Sequence, residues 1–240
     1  IQENSIKKTA KRLGIHDIFT PSTLKKSDES IASGDIAAKL QALQADWFFV
    51  IAYGKIIPTH ILELPIFWNI NVHGSLLPAL RGASPLQSIF LWSEQASIHT
   101  WFSVMEINEK MDEWDILWTY AFDVPFHRTA KNLFAKVEEK WPKFLADTIR
   151  DYSKWHIQPI PQDHEKATYC KKITKEDGEI DLFTTPLSEL YAKFRAYAIR
   201  PWVRTTWNEK LLLIENIVCD EMLFWEFQDK PLILRADLHK

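Results

Sequence analysis

Short, near-continuous apolar runs alternate along this chain with longer stretches whose apolar residues recur at helical spacing. Ile1 to Leu13 mixes apolar and small residues with lysines and predicts a helix stopped at Gly14. Ile15 to Leu24, with Pro21, reads as extended, and Asp28 to Gln44 as an amphipathic helix with Ile31, Ile36, Leu40 and Leu43 on its apolar side. Trp47 to Ala52 has the unbroken apolar character of a strand covered on both faces, after which Tyr53-Gly54 turns the chain. Lys55 to Leu64 suits a short helix and Asn69 to Val72 the next strand. The pattern then predicts a helix at Pro85 to Trp92 and strands at Ile98 to Ile107 and Ile116 to Phe122. Thr129 to Tyr152 is a long amphipathic helix with a stripe of Leu133, Phe134, Val137, Trp141, Phe144, Leu145 and Ile149, which is core patterning. Pro159 to Asp163 is extended, Ser188 to Ala198 helical, and Thr205 to Val218 two strands across an Asn208-Glu209-Lys210 turn.

Helices alternating with short buried strands predict an α/β protein with a doubly wound, mostly parallel sheet, in which ligands sit at the carboxyl ends of strands. Asn71 to Pro78 occupies such an end. Strand side chains repeat with period two, so Asn71 and His73 project to one side and face one site.

Composition narrows the function classes. The 240 residues, 46% apolar and 25% charged, are those of an ordinary soluble globular protein. A formal net charge of -3 excludes a generally basic, nucleic-acid-coating surface, so any RNA contact must be local. Cys170 and Cys219 match no metal-ligand spacing and read as idle thiols of a reducing compartment. No apolar run approaches the roughly 20 residues that span a bilayer, and Ile1 onward lacks the layout of a signal peptide. A cytoplasmic location is expected.

An Asn-x-His pair at a strand end is, taken alone, more often a loop anchor than a catalytic pair. The string that follows changes the reading. Ser75-Leu76-Leu77-Pro78, then Arg81-Gly82-Ala83-Ser84-Pro85-Leu86-Gln87, resembles the signature loop of the folate-dependent formyltransferases. Met111-Asp112-Glu113-Trp114-Asp115-Ile116-Leu117 is similar to the acidic turn that completes that family's catalytic set. Tyr169 to Leu182 resembles the segment that links its two domains, and Arg195 to Trp202 the approach to a second, barrel-like domain.

The resemblance implies a Rossmann-like catalytic domain at 1–168, a linker at 169–187 and a partial OB-like β-barrel at 188–240 that binds tRNA. It implies Asn71, His73 and Asp112 as the catalytic set and Ser75, Leu76, Leu77 and Pro78 as the turn that holds 10-formyltetrahydrofolate, with no metal. The expected reaction is formyl transfer to the amino group of methionyl initiator tRNA by a monomer. The alternatives are a small amine acceptor, such as glycinamide ribonucleotide or an amino sugar nucleotide, and an inactive folate- or RNA-binding remnant. Lys193, Arg195, Arg200, Arg204 and Lys210 are candidate phosphate contacts, with a solvated helix face as the competing reading.

Two departures from the family stand out. Its first strand, glycine-rich turn and tRNA-engaging loop have no counterpart here, and the second domain stops early, so the chain reads as a fragment. There are also 11 Trp against 6 Gly. Trp68, Trp101, Trp114, Trp141, Trp155 and Trp225, with Trp92 beside them, stand where the family has glycine. Decoding of UGA as glycine in the source accounts for that substitution pattern, because the motif residues are otherwise intact. Lys110 and Asn108 are milder departures just before Asp112.

Overall fold

The computed structural model describes residues 4–21, 23–24, 36–92, 98–107, 109–154, 156–218, 224, 226 and 228–229. Its centre is a four-stranded sheet built from β1 (Trp47–Ile51), β2 (Trp68–His73), β4 (Ile98–Glu106) and β5 (Ile116–Val124), in the order β1-β2-β4-β5. β1 and β2 run parallel, whereas β2–β4 and β4–β5 are antiparallel, so the α/β sheet is mixed among the described residues. The connection from β4 to β5 shows why. Parallel neighbours need a crossover of a dozen or more residues, and the acidic turn between Glu106 and Ile116 is too short for one.

Helices fall close to where apolar spacing puts them: α1 (Ser5–Arg12), α3 (Thr59–Leu62), α4 (Pro85–Trp92), α5 (Ala130–Ser153) and α6 (Leu187–Ala196). Of the predicted 28–44 helix, α2 (Ile36–Ala42) is seen, and residues 28–35 lie outside the described residues. Asn4 caps α1 by accepting from the backbone N–H of Ile6, while Thr129 and Asn132 form a reciprocal capping box at the start of α5. The α5 stripe lines the sheet as predicted. Leu133, Phe134, Val137 and Trp141 join a core with Phe90, Phe102 and Phe122, and Phe144, Leu145 and Ile149 pack on Ile70, Val104 and Leu117. No helix among the described residues is long and apolar enough to cross a membrane.

Two short strands were not legible in the pattern. β3 (Arg81–Gly82) pairs in parallel with β6 (Tyr169–Cys170), tying the signature loop to a segment almost ninety residues later. The pairing is close: Gly82 has φ 113, and a Cβ there would run into the Cys170 carbonyl oxygen.

In the carboxy-terminal part, β7 (Val203–Trp207) and β8 (Lys210–Ile214) form a hairpin whose two turn residues, Asn208 and Glu209, have φ 45 and 63. This hairpin is what the described residues show of the expected barrel. Leu190, Ala196, Tyr197 and Val203 belong to the same core cluster as Phe90 and Phe102, so packing is continuous from α4 into α6 and β7.

Two expected phosphate contacts are corrected here. Arg195 and Arg204 are each only 4% exposed. Arg195 lies with its guanidinium 4.8 Å from the centre of the Phe90 ring and donates to the carbonyls of Arg128 and Pro125. Arg204 donates to the Lys175 carbonyl and pairs with Glu179 at 2.9 Å. Helical spacing alone cannot tell a solvated cation from one whose long stem and planar head complete a core. Arg200 and Lys210 are exposed, and Lys193 pairs with Glu189 at 2.9 Å.

Trp155 and Trp225 lie outside the described residues. Trp68 and Trp92 are exposed, and the buried indole N–H of Trp141 has no partner among the described residues. Among the described residues, the tryptophan in a glycine-like conformation is one not assigned to that set, Trp202, with φ 71; its carbonyl oxygen also crowds the position a Cβ on Gly178 would take.

Candidate active site

β2 sorts its side chains by parity. Ile70 is fully buried in the cluster under α5, so Asn71 and His73 face away from it. His73 stands opposite Ser103 of β4, and both are buried. The Ser103 hydroxyl donates to the Ser75 carbonyl at 2.8 Å and accepts from the Leu77 N–H at 3.2 Å. That one side chain fastens the 75–78 turn to the sheet, and the Ser75 hydroxyl closes the turn by donating to the Ala79 carbonyl at 2.5 Å. Ser75 and Leu77 are buried, while Leu76 and Pro78 remain half-buried. Among the described residues no side-chain hydrogen bond restrains the half-buried Asn71 carboxamide.

His73 Nε2 lies 2.8 Å from the Leu80 carbonyl oxygen. A carbonyl can only accept, so Nε2 carries a hydrogen and Nδ1 is the nitrogen that gains or loses the mobile proton. Nδ1 is 3.6 Å from Asp112 Oδ1. The second carboxylate oxygen, Oδ2, accepts from the Gly82 N–H at 2.8 Å. Asp112 has φ 55, a left-handed conformation uncommon outside glycine that aspartate tolerates better than most residues. The structure thus brings His73 and Asp112 together from positions 39 residues apart in the sequence. Leu80 also accepts from the Cys170 thiol, whose pKa is pushed up chiefly by burial, so this thiol stays protonated at neutral pH.

Two residues that pattern reasoning did not single out as site residues surround Asp112. Arg81 is 1% exposed. Its Nε and one terminal nitrogen both donate to Gln162 Oε1, at 3.1 and 2.7 Å, and that terminal nitrogen also donates to His164 Nδ1 at 3.0 Å. The other terminal nitrogen is 3.8 Å from Glu113 and reaches the Tyr169 hydroxyl at 3.4 Å. Gln162 Nε2 donates to the carbonyls of Asp112 at 3.0 Å and Trp114 at 2.5 Å. No local signal marks Gln162, which stands in an extended, proline-flanked stretch. Beside this network opens a cleft of about 640 Å³, lined by Arg81, Lys110, Glu113, Trp114, His164 and Tyr169 among others. Asn71, His73 and Asp112 lie outside its lining.

Residues 5–149 match the Formyl transferase family. The chain belongs to that family. It is 32% identical over 201 residues to a methionyl-tRNA formyltransferase of Caldicellulosiruptor saccharolyticus, covering 84% of this chain and 61% of that protein. It is 38% identical over 157 residues to one from a Hydrogenobaculum species, covering 65% and 51%. The matched part of the chain therefore spans about half to two-thirds of the length of such curated relatives. In fold it is similar to a methionyl-tRNA formyltransferase from Clostridium thermocellum, with a TM-score of 0.59 and 21% identity over 77% of each chain. It is also similar in fold to HypX from Aquifex aeolicus in complex with tetrahydrofolic acid, with a TM-score of 0.63 and 16% identity over 75% of this chain and 30% of that one.

Proposed function

We propose that this chain carries the catalytic core of an enzyme that transfers a formyl group from 10-formyltetrahydrofolate to the amino group of methionyl initiator tRNA. The observation that carries the reading is the approach of Asp112 to His73 Nδ1 at the mouth of β2, with the Asn71 carboxamide on the same side. The curated relatives named methionyl-tRNA formyltransferase favour tRNA over a small amine as acceptor. Residues 1–168 form the catalytic domain, 169–187 the linker and 188–240 the beginning of a tRNA-binding domain, acting as a monomer.

The site suits the folate because the 75–78 turn is already fixed by Ser103, which leaves the exposed parts of Leu76 and Pro78 and the turn backbone to meet a flat ring. The folate supplies the formyl carbon. An α-amino group titrates near pH 8, so a substantial share of the acceptor is neutral in the cell and no enzyme nucleophile is needed. Asn71 donates to the formyl oxygen, where negative charge develops as the amine attacks. His73 takes the amine's proton at Nδ1 while Leu80 fixes the ring, and Asp112 stabilises the imidazolium that results. The tetrahedral adduct then collapses by breaking the bond from the formyl carbon to N10, which leaves as tetrahydrofolate after taking that proton from His73.

Replacing Asn71 or His73 with Ala is expected to lower kcat for methionyl-tRNA by about 10² or more, the usual loss for an oxyanion or acid-base group. Near-normal turnover in either variant overturns the assignment. Preferential formylation of an amino sugar nucleotide over methionyl-tRNA moves the function to the small-amine class.

A further inference from the structure

We infer that Gln162 is a positioning residue for the formyl transfer proposed above: held by the buried Arg81 guanidinium, its carboxamide fixes the backbone that aims Asp112 at His73. The inference rests on that functional reading and adds to it a residue eighty-nine positions beyond His73 in the sequence.

The direction of each hydrogen bond makes the argument. Arg81 has only donors, and two of them point at Gln162 Oε1, so the amide is oriented with its oxygen toward Arg81 and its nitrogen away. The two N–H groups so presented go to the carbonyls of residues 112 and 114, one on each side of Glu113. A glutamine whose four hydrogen-bonding positions are all used in this way has one orientation, and at 6% exposure it is largely shielded from water that would replace them. What it clamps is a turn in an uncommon conformation, with φ 55 at Asp112 itself. A backbone held there by outside contacts keeps the carboxylate between the Gly82 N–H and His73 Nδ1. Arg81 and Gly82 are successive residues of β3, so the same two-residue strand grips the Asp112 turn twice: by a main-chain N–H on the carboxylate and, through Gln162, on the main chain. β6 aligns β3 for both contacts.

Because Gln162 touches neither reacting group, it acts only through Asp112, and its effect must vanish when Asp112 is gone. In Gln162→Leu both carbonyls lose their donor and Arg81 loses its main acceptor. The variant is expected to lower kcat at least ten-fold while KM for 10-formyltetrahydrofolate stays within two-fold. In an Asp112→Ala background the same substitution is expected to change kcat less than two-fold. Gln162→Glu keeps the volume and the pairing with Arg81 but removes both N–H donors. It is expected to reproduce the kcat loss in a protein that still melts cooperatively, because the pairing with Arg81 is kept, which covers the case in which Gln162→Leu fails to fold. A Gln162→Glu enzyme with normal kcat, or a full additional loss on top of Asp112→Ala, overturns the positioning role. If instead Asp112→Ala alone is fully active, the underlying site assignment fails, and the two failures are told apart by that single variant.

Discussion

Individual residues show where conformation and chemistry disagree. Trp202 holds φ 71, and an L-residue in that region costs roughly 1–2 kcal/mol that glycine does not incur. Trp202→Gly should therefore melt above Trp202→Ala, since both variants remove the indole and the strain on alanine exceeds the roughly 0.5–1 kcal/mol of backbone entropy that glycine loses on folding. At Trp68, which has no such backbone, glycine should instead be the less stable of the pair, by the entropy that makes Gly unfavourable within strands. Thermal melts of the four variants check the pair of orderings, and equal ranking at both sites would refute the strain at Trp202. If UGA codons are decoded as glycine in the source, peptides of the native protein spanning positions 114 and 202 should both carry glycine by mass. The buried Trp141 indole N–H, which has no hydrogen-bond partner among the described residues, is a further mark of a side chain its surroundings do not serve.

At the scale of elements, the end of β4 meets the last turns of α5 through a buried acid. Glu106 accepts a short hydrogen bond from the Tyr152 hydroxyl. Its carboxyl pKa is raised, first by burial and also by the nearby Asp115 charge, which together outweigh the Tyr152 bond. The sign follows from proton binding. Below the ordinary value of 4.5 the group is protonated folded and unfolded alike; above it the unfolded chain ionises first, so the folded state loses stability as pH rises toward the folded pKa. Glu106→Gln should thus raise the melting temperature at pH 7 to 8, and the advantage should shrink as pH falls to 4. A pH-independent difference would show that the carboxyl does not titrate on unfolding.

Across the whole molecule, Arg195 joins the part that carries the four-stranded sheet to the carboxy-terminal part. Its guanidinium packs on Phe90, Phe126 and Tyr191 and donates to the carbonyls of Pro125 and Arg128. Removing it leaves those carbonyls without this donor and a void among aromatic rings, so Arg195→Ala should destabilise by roughly 3 kcal/mol or more. Exposed Arg200→Ala should change stability little. Denaturant melts of the two variants test the contrast, and equal stabilities would return Arg195 to the surface role that helical spacing suggested.

Apolar rhythm determined the elements, because each must bury one face and the period of that face is written locally: Pro85–Trp92 has the predicted bounds, and the α5 stripe from Leu133 to Ile149 packs as read. The period-two rule likewise put Asn71 and His73 on one side of β2. Tertiary structure alone decided strand direction across β4 and β5, the pairing of Arg81 with Tyr169, and the burial of Arg195 and Arg204. It also decided how Gln162 meets the Asp112 turn, fifty residues earlier. Contacts between polar groups distant in sequence leave no period behind. Donors and acceptors find their partners only once the backbone has brought them within about 3 Å, and nothing local records which of many polar residues will be there.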